Sequence, residues 1–85
     1  MTECIYTIKS AYGLHARPAG QLVRLVKPYA STVTMLLGEK SCDMRRLMAL
    51  MAMGVKQGDT ITIRAEGEDE AACIAELSRF LAENV

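Results

Sequence analysis

The apolar residues recur at two different spacings, and the places where the spacing changes constrain the fold more than any other feature of this sequence. A spacing of two residues is typical of a half-buried strand, and a spacing of three to four residues is typical of an amphipathic helix. Three segments have the two-residue spacing, and their inward residues are Cys4, Tyr6 and Ile8 in residues 3–9, Val33, Met35 and Leu37 in residues 32–37, and Ile61, Ile63 and Ala65 in residues 60–65. Each of these strands therefore needs an apolar layer on only one side.

A fourth, shorter strand is predicted to follow the second. Gly38-Glu39 can form a tight hairpin turn, so the chain can return through Lys40-Ser41-Cys42 beside residues 32–37. The two strands of this hairpin are therefore predicted to be antiparallel.

The helical spacing first occurs in residues 16–27. Pro18 is tolerated there because the first turn of a helix does not need its backbone N–H, and Pro28 discourages continuation past Lys27. The residues with this spacing are Ala19, Leu22, Val23 and Val26. They predict one apolar helix face directed towards the core.

Two further helices are predicted. The second spans Met44 to Met53 and ends at Gly54, which suits the left-handed conformation that closes many helices. The third begins at Asp69, a favourable N-cap residue. Its apolar face consists of Cys73, Ile74, Leu77, Phe80 and Leu81.

The order strand, helix, strand, strand, helix, strand, helix predicts an α+β fold. Because each strand is apolar on one side only, we expect an open-faced sandwich, in which a four-stranded antiparallel sheet has three helices on one face. A chain of 85 residues has room for one hydrophobic core, so residues 1–85 are predicted to form a single domain.

Several classes of protein do not fit the composition. No segment approaches the roughly 18 apolar residues of a membrane helix, and the first residues do not have the pattern of a signal peptide. Cys4, Cys42 and Cys73 are odd in number and widely spaced, which predicts reduced core thiols instead of a zinc site. With a single histidine in the chain, we expect no metal site. The lack of a signal or membrane segment predicts a cytoplasmic location without direct membrane insertion. We also expect no cofactor and a monomer.

The charges balance over the whole chain but are segregated along it. Ten basic residues match ten acidic ones, yet residues 9–56 contain eight basic side chains and only two acidic ones. Such a basic region favours an anionic ligand or an acidic protein surface, whereas the neutral total argues against a nucleic-acid partner. The alternative is a solvated surface on which the charges cluster by accident.

The single histidine lies in the most informative segment, which reads Gly13-Leu14-His15-Ala16-Arg17-Pro18-Ala19-Gly20. His15 precedes the first helix, so its imidazole would lie beside the unpaired backbone N–H groups of the first turn. Arg17 adds a guanidinium group that matches phosphate oxygens. The first-turn residues Ala16, Arg17 and Pro18 are therefore predicted to surround a phosphate, or a phosphoryl group on His15. The competing interpretation is a histidine that only caps the helix or lies in a loop.

The run Gly13-Leu14-His15-Ala16-Arg17-Pro18 resembles the active-site signature of HPr, the histidine-containing phosphocarrier of the bacterial phosphoenolpyruvate-dependent sugar phosphotransferase system. The resemblance extends over the whole chain and includes residues 47–51, Gly54, Gly58 and residues 65–70. It implies a carrier, not an enzyme. His15 would accept a phosphoryl group at Nδ1 from enzyme I and donate it to enzyme II components such as the A-type proteins, with Arg17 steadying the phosphate.

The same resemblance implies that partner proteins dock on the first two helices. The expected surface has Leu47, Met48 and Met51 at an apolar centre, with Gln21, Arg24, Lys27 and Arg46 around it. Core packing is the alternative for the apolar residues. However, a helix that is apolar nearly all round cannot bury every face in so small a domain. Met44 and Leu50 are therefore assigned to the core.

Two departures from the family pattern stand out. Many members from Gram-positive bacteria carry a regulatory serine at the start of the second helix, where a dedicated kinase phosphorylates it, and this chain has Arg46 there. Tyr12 is bulkier than the small polar residues expected near the active site. The first departure predicts that the seryl switch is missing.

Two other functions stay open. One is a paralogue with identical chemistry in a regulatory phosphorelay, such as a nitrogen-related one. The other is an interaction or RNA-binding module that is never phosphorylated. An RNA-binding sheet needs aromatic side chains on which bases stack, and the chain has only three Tyr and one Phe, with Tyr6 predicted to face inward.

Overall fold

A computed structural model describes all 85 residues of the chain. Its elements follow the predicted order and are β1 (Thr2–Thr7), α1 (Ala16–Val26), β2 (Thr32–Leu37), β3 (Lys40–Asp43), α2 (Leu47–Ala52), β4 (Thr60–Glu66) and α3 (Glu70–Asn84). The three helices cover one face of a four-stranded antiparallel sheet and leave the other face open. The prediction of an α+β open-faced sandwich is confirmed.

The sheet has the strand order β1-β4-β2-β3, so the last strand in sequence lies between the first and the second. Strand β4 pairs antiparallel with both β1 and β2, and β3 is joined to β2 by the hairpin at Gly38. In this register one row across the sheet consists of Cys4, Ile63, Met35 and Cys42. The predicted inward faces of the separate strands therefore line up as one apolar surface.

The core lies between this surface and the helices. Twenty buried apolar residues form one cluster, to which α1 contributes Leu22 and Val26 while α3 contributes Leu77 and Leu81. Burial of one such side chain contributes about 1.5–3 kcal/mol, so this layer is the main source of stability. Three of the six methionines in the chain lie in this core, namely Met35, Met44 and Met53.

Helix α2 is shorter than predicted, because it begins at Leu47 and not at Met44. The preceding residues form a turn instead, in which the Asp43 carboxylate accepts the N–H of Arg45 at 2.9 Å and the Asp43 carbonyl accepts the N–H of Arg46 at 3.1 Å. Met44 is fully buried as predicted, but it enters the core from this turn. Gly54 has the left-handed conformation predicted for the end of α2, with φ +66°.

Asp69 also differs from its prediction, because its side chain makes no capping hydrogen bond to α3. Its carboxylate instead accepts the backbone N–H groups of Ala30 and Ser31 and the hydroxyl of Ser31. The guanidinium of Arg45 donates to the carbonyls of Ser31 and Tyr29. These bonds join the beginnings of β2 and α3 to the turn before α2.

The remaining differences are small. Helix α1 ends at Val26, with Lys27 as its C-cap, one residue earlier than predicted.

All three thiols are free, but only Cys73 is buried, whereas Cys4 and Cys42 are half-buried. Burial raises the pKa of the Cys42 and Cys73 thiols above the usual thiol value. No helix in the chain has both the length and the apolar character that a membrane span requires.

Candidate functional site

The position of His15 is fixed by its two predecessors. Gly13 has φ +63°, and a Cβ atom at this residue would lie 2.5 Å from the carbonyl oxygen of Val55, so glycine is required for the close approach. The N–H of Leu14 donates to the same carbonyl at 3.1 Å, and the Leu14 side chain is buried. Because Leu14 is anchored in the core, the next side chain, that of His15, lies in solvent.

The loop before these residues is tied down as well. The N–H groups of Lys9 and Ser10 donate to the carbonyl oxygen of Val85 at 2.9 and 2.7 Å. Within the loop, the N–H of Gly13 donates to the carbonyl of Ser10 at 3.0 Å. The N–H of Tyr12 donates to the hydroxyl of Ser10 at 3.3 Å. The backbone that leads to His15 is therefore held at several points.

His15 is the N-cap residue of α1, with an extended backbone and no capping hydrogen bond from its side chain. Its carbonyl accepts the N–H of Ala19 at 3.1 Å. Because the side chain does not cap the helix, the imidazole is available to other partners. The next residues, Ala16 and Arg17, have N–H groups in the first turn, where a helix offers them no carbonyl partner. Pro18 follows as the third helical residue, in the first turn as predicted. An anion beside His15 would therefore meet free backbone donors and the positive end of the helix dipole.

An open hollow of about 250 Å³ adjoins the imidazole. Its walls consist of His15, Arg17, Pro18, Gln21 and Asn84. Four of these residues lie within the predicted site or the predicted docking surface, and the structure brings them together. Asn84 was missed by the sequence analysis. It comes from the end of α3, where its Nδ2 donates to the carbonyl of Phe80 at 3.0 Å, and no local pattern connects it to the histidine motif.

The cations along the first two helices have no acidic partners. Arg17 and Arg24 are exposed on α1, Lys27 is exposed at its C-cap, and Arg46 is exposed at the start of α2. The two ion pairs in the chain lie elsewhere, one between the amino group of Met1 and Glu70 and the other between Glu3 and Arg64. An acidic surface could therefore pair with these groups directly. Arg45 also has no acidic partner, but its guanidinium is not free, because it donates to the backbone carbonyls of Ser31 and Tyr29.

An apolar patch adjoins the basic one. Met48 is 80 % exposed, and Leu47 and Met51 are also exposed, whereas Leu50 on the opposite side of α2 is 1 % exposed. The inward assignment of Met44 and Leu50 is thus confirmed. Helix α2 packs beside α1, and the segment that follows α2 contacts the loop before His15. We use the name docking surface for the residues on which partner docking is predicted: Gln21, Arg24, Lys27, Arg46, Leu47, Met48 and Met51.

Tyr12 lies on the other flank of the motif. Its side chain is 82 % exposed, yet its ring centroid is 5.9 Å from that of His15, and the two ring planes meet at 72°. This is the edge-to-face geometry in which aromatic rings attract one another.

No group of three or more histidine, cysteine or acidic side chains in the chain could hold a metal ion.

Comparison with known proteins gives a consistent result. Residues 2–83 match the family model of the PTS HPr component phosphorylation site. The chain is 36 % identical to the phosphocarrier protein HPr of Lysinibacillus sphaericus over 78 residues, which cover 92 % of this chain and 89 % of that protein. It is 38 % identical to HPr of Buchnera aphidicola over 76 residues, which cover 89 % of both chains.

Solved structures show the same similarity. A histidine-containing phosphocarrier protein from Mycoplasma superposes with a TM-score of 0.93 at 32 % identity, over 96 % of this chain and 93 % of that one. HPr of Thermoanaerobacter tengcongensis gives a TM-score of 0.92 at 32 % identity, over 98 % and 93 % of the two chains. The Crh protein of Bacillus subtilis gives 0.78 at 30 % identity, over 94 % and 92 %, and its structure is a domain-swapped dimer.

Proposed function

Because the chain belongs to the HPr family of phosphocarrier proteins, we propose that it accepts a phosphoryl group on His15 from enzyme I and donates it to A-type enzyme II proteins. In the first step the P–N bond on the enzyme I histidine breaks and a P–N bond forms at Nδ1 of His15. In the second step that bond breaks, a new bond forms between the phosphorus atom and a histidine or cysteine side chain of the enzyme II protein, and the imidazole of His15 is regenerated. The observation that carries the proposal is the exposed His15 imidazole, uncapped and next to Arg17 at the beginning of α1.

The surroundings of His15 suit this chemistry. Phosphoryl transfer needs in-line positioning and stabilisation of negative charge more than it needs acid or base groups. The N–H groups of Ala16 and Arg17 and the dipole of α1 supply part of that stabilisation. The exposed Arg17 guanidinium lines the same hollow and can donate two parallel hydrogen bonds to phosphate oxygens.

The docking surface suits brief encounters with acidic partners. Its centre is apolar and exposed, and unpaired cations lie around it. An apolar centre excludes water from the contact, while the charged rim speeds association and allows rapid release. We assign enzyme I and the A-type proteins to this one surface, so they would bind in turn.

The proposed carrier acts as a monomer in the cytoplasm. Three free thiols are typical of a reducing compartment. A monomer leaves the docking surface and His15 available to either partner. The domain-swapped relative shows that the fold also permits dimers.

The structure gives no support to an RNA-binding role. The open face of the sheet carries residues such as Ile5, Thr34, Thr62 and Arg64, and no aromatic side chain lies on it. Tyr6 packs against the core on the covered face. Bases would therefore find no stacking platform on this sheet.

The test is phosphorylation with purified enzyme I and phosphoenolpyruvate. We expect one phosphate per chain that is labile in acid and stable in base, because a phosphohistidine has this stability and the chain has a single histidine. His15→Ala should abolish it, with circular dichroism showing that the variant is folded. Equal labelling of the parent and the Ala variant would contradict the proposal.

A further inference from the structure

We propose that Tyr12 is a positioning residue, whose ring restrains the His15 imidazole in the orientation needed for transfer. The inference rests on the proposed phosphocarrier function and goes beyond it, because it concerns a residue in which this chain departs from the expected family pattern. Its physical basis is the contact between the two rings.

The ring geometry is that of an attractive pair. The centroid separation of 5.9 Å falls within the range of roughly 4.5–7 Å for aromatic pairs, and the interplanar angle of 72° is close to edge-to-face. An exposed imidazole with no hydrogen-bonded partner would otherwise exchange rapidly among its rotamers. The Tyr12 ring therefore favours particular orientations of an imidazole that no hydrogen bond within the chain restrains.

The backbone holds Tyr12 firmly enough to do this. Its N–H donates to the Ser10 hydroxyl, the Ser10 carbonyl accepts the N–H of Gly13, and the Ser10 N–H donates to Val85. A tyrosine side chain has only two flexible torsions, so a ring on a fixed backbone loses little entropy when it packs. The backbone of Tyr12 is thus fixed relative to that of His15, and contact between the two rings restrains both side chains.

The contact is not explained by folding. A side chain that is 82 % exposed contributes little to the core, and the Tyr12 hydroxyl has no partner in the chain, whereas that of Tyr29 donates to Glu76. Because the ring and not the hydroxyl makes the contact, phenylalanine should replace tyrosine here without loss.

The consequence is kinetic. In-line transfer requires the Nδ1 lone pair to point at the phosphorus atom on the partner, and a restrained ring reaches that geometry in a larger fraction of encounters. Loss of the restraint should lower the maximal rate of transfer and leave the concentration for half-saturation unchanged, since docking occurs on other residues.

The experiment compares Tyr12→Ala and Tyr12→Phe with the parent. Ile5→Ala serves as the control, because Ile5 is 72 % exposed on the open face of the sheet. The first readout is the proton NMR shift of the His15 ring in the unphosphorylated protein. Removal of a neighbouring aromatic ring should displace these resonances in Tyr12→Ala but not in Ile5→Ala. The second readout is the rate of transfer from phosphorylated enzyme I as a function of carrier concentration.

We expect Tyr12→Ala to lower the maximal rate of transfer by roughly two- to tenfold, which is the rate ratio that corresponds to the interaction free energy of one aromatic pair. Tyr12→Phe should transfer at the rate of the parent. An unchanged rate with Tyr12→Ala would overturn the proposal, as would loss of activity in Tyr12→Phe. A higher half-saturating concentration at an unchanged maximal rate would overturn it too, because Tyr12 would then be a partner contact. If the parent is not phosphorylated, the proposed function fails, and the NMR shifts still decide whether the rings pack.

Discussion

The backbone N–H and the hydroxyl of Ser31 both donate to the same oxygen, Oδ1, of Asp69. The second carboxylate oxygen accepts the N–H of Ala30 at 2.8 Å. Three donors favour the charged form, and they hold the pKa of Asp69 below its usual value of 3.8, with the Ser31 hydroxyl as the largest contributor. The ionised carboxylate therefore links the start of α3 to the residues just before β2 by hydrogen bonds.

The first prediction concerns the pH dependence of stability. A carboxyl group with a lowered pKa in the folded state stabilises the fold at pH values above its unfolded pKa, and that contribution disappears as the pH falls through the folded pKa. We expect Asp69→Asn to melt at a lower temperature than the parent at pH 7. The difference in melting temperature should begin to narrow below about pH 4, where the carboxyl group of Asp69 becomes protonated in the unfolded chain, and it should close as the pH falls through the lower pKa of the folded protein.

Thermal denaturation from pH 7 to pH 2 measures this effect. Glu68→Gln is the matched control, because Glu68 is an exposed carboxylate in the adjacent turn. Ser31→Ala should make the melting temperature depend less steeply on pH than in the parent, since it removes one of the three donors to the Asp69 carboxylate. If the melting temperatures of Asp69→Asn and the parent differed by the same amount at every pH from 7 to 2, the stabilising role of the ionised Asp69 carboxylate would be contradicted.

The second prediction separates the chemistry of Arg17 from its contribution to folding. Arg17 is exposed and makes no ion pair, so Arg17→Ala should change the free energy of unfolding by less than about 0.5 kcal/mol. Loss of one charge-assisted hydrogen bond to the phosphoryl group should slow transfer by about 10- to 100-fold.

Urea denaturation and quenched-flow transfer assays measure the two quantities. Arg24→Ala, the same charge change on the same helix, should weaken docking and leave the maximal transfer rate nearly intact. Arg17→Lys should restore only part of the rate, because it keeps the charge but not the bidentate geometry. A large drop in stability with Arg17→Ala would show that the arginine is structural.

The third prediction tests the apolar centre of the docking surface. Met48→Glu places a charge where the partner would exclude water, so the dissociation constant for enzyme I should rise by roughly tenfold or more while the fold is preserved. Calorimetric titration measures the affinity, and circular dichroism reports the fold. Ile5→Glu is the control, because it adds the same charge at a similarly exposed residue on the open sheet face and should leave binding unchanged. If Met48→Glu and Ile5→Glu weakened binding equally, the prediction that Met48 contacts the partner would be contradicted.

Much of the fold could be predicted because its determinants are local. The alternation around Ile63 assigns a face to each residue of a strand, and antiparallel pairing then aligns Ile63 with Met35. The prediction was wrong where tertiary hydrogen bonds override a local preference. The helical spacing continues back to Met44, but the contacts of Arg45 with Tyr29 and Ser31 hold that segment in a turn.

The candidate site divides in the same way. His15, Arg17 and Gln21 are close in sequence on one helix, so the motif alone places them together. Asn84 reaches them only because the topology sets the end of α3 beside the start of α1, which no local pattern reveals. The contact between Tyr12 and His15 depends on the turn at Gly13, and neither its distance nor its angle follows from the spacing of the residues.

The last prediction concerns Arg46, whose backbone is extended at the N-cap of α2 and whose side chain makes no capping hydrogen bond. Serine at this position could accept a first-turn N–H, and its presence would remove a cation from the positive end of the helix. Arg46→Ser should therefore leave the free energy of unfolding unchanged or raise it by about 0.5–1 kcal/mol. The parent protein should not be labelled by the seryl kinase of HPr, because the acceptor residue is absent.

The same substitution tests what the Arg46 cation contributes at the edge of the docking surface. An unpaired Arg46 attracts an acidic partner over distances that salt screens, so Arg46→Ser should slow association with enzyme I most at low ionic strength, and the rates should converge with those of the parent as salt is added. Stopped-flow measurements across ionic strength determine these rates. Arg79→Ser, an equal charge change on α3 outside the docking surface, should have the smaller effect. An association rate that Arg46→Ser leaves unaltered at every salt concentration would refute the steering role, and kinase labelling of the parent chain would refute the missing switch.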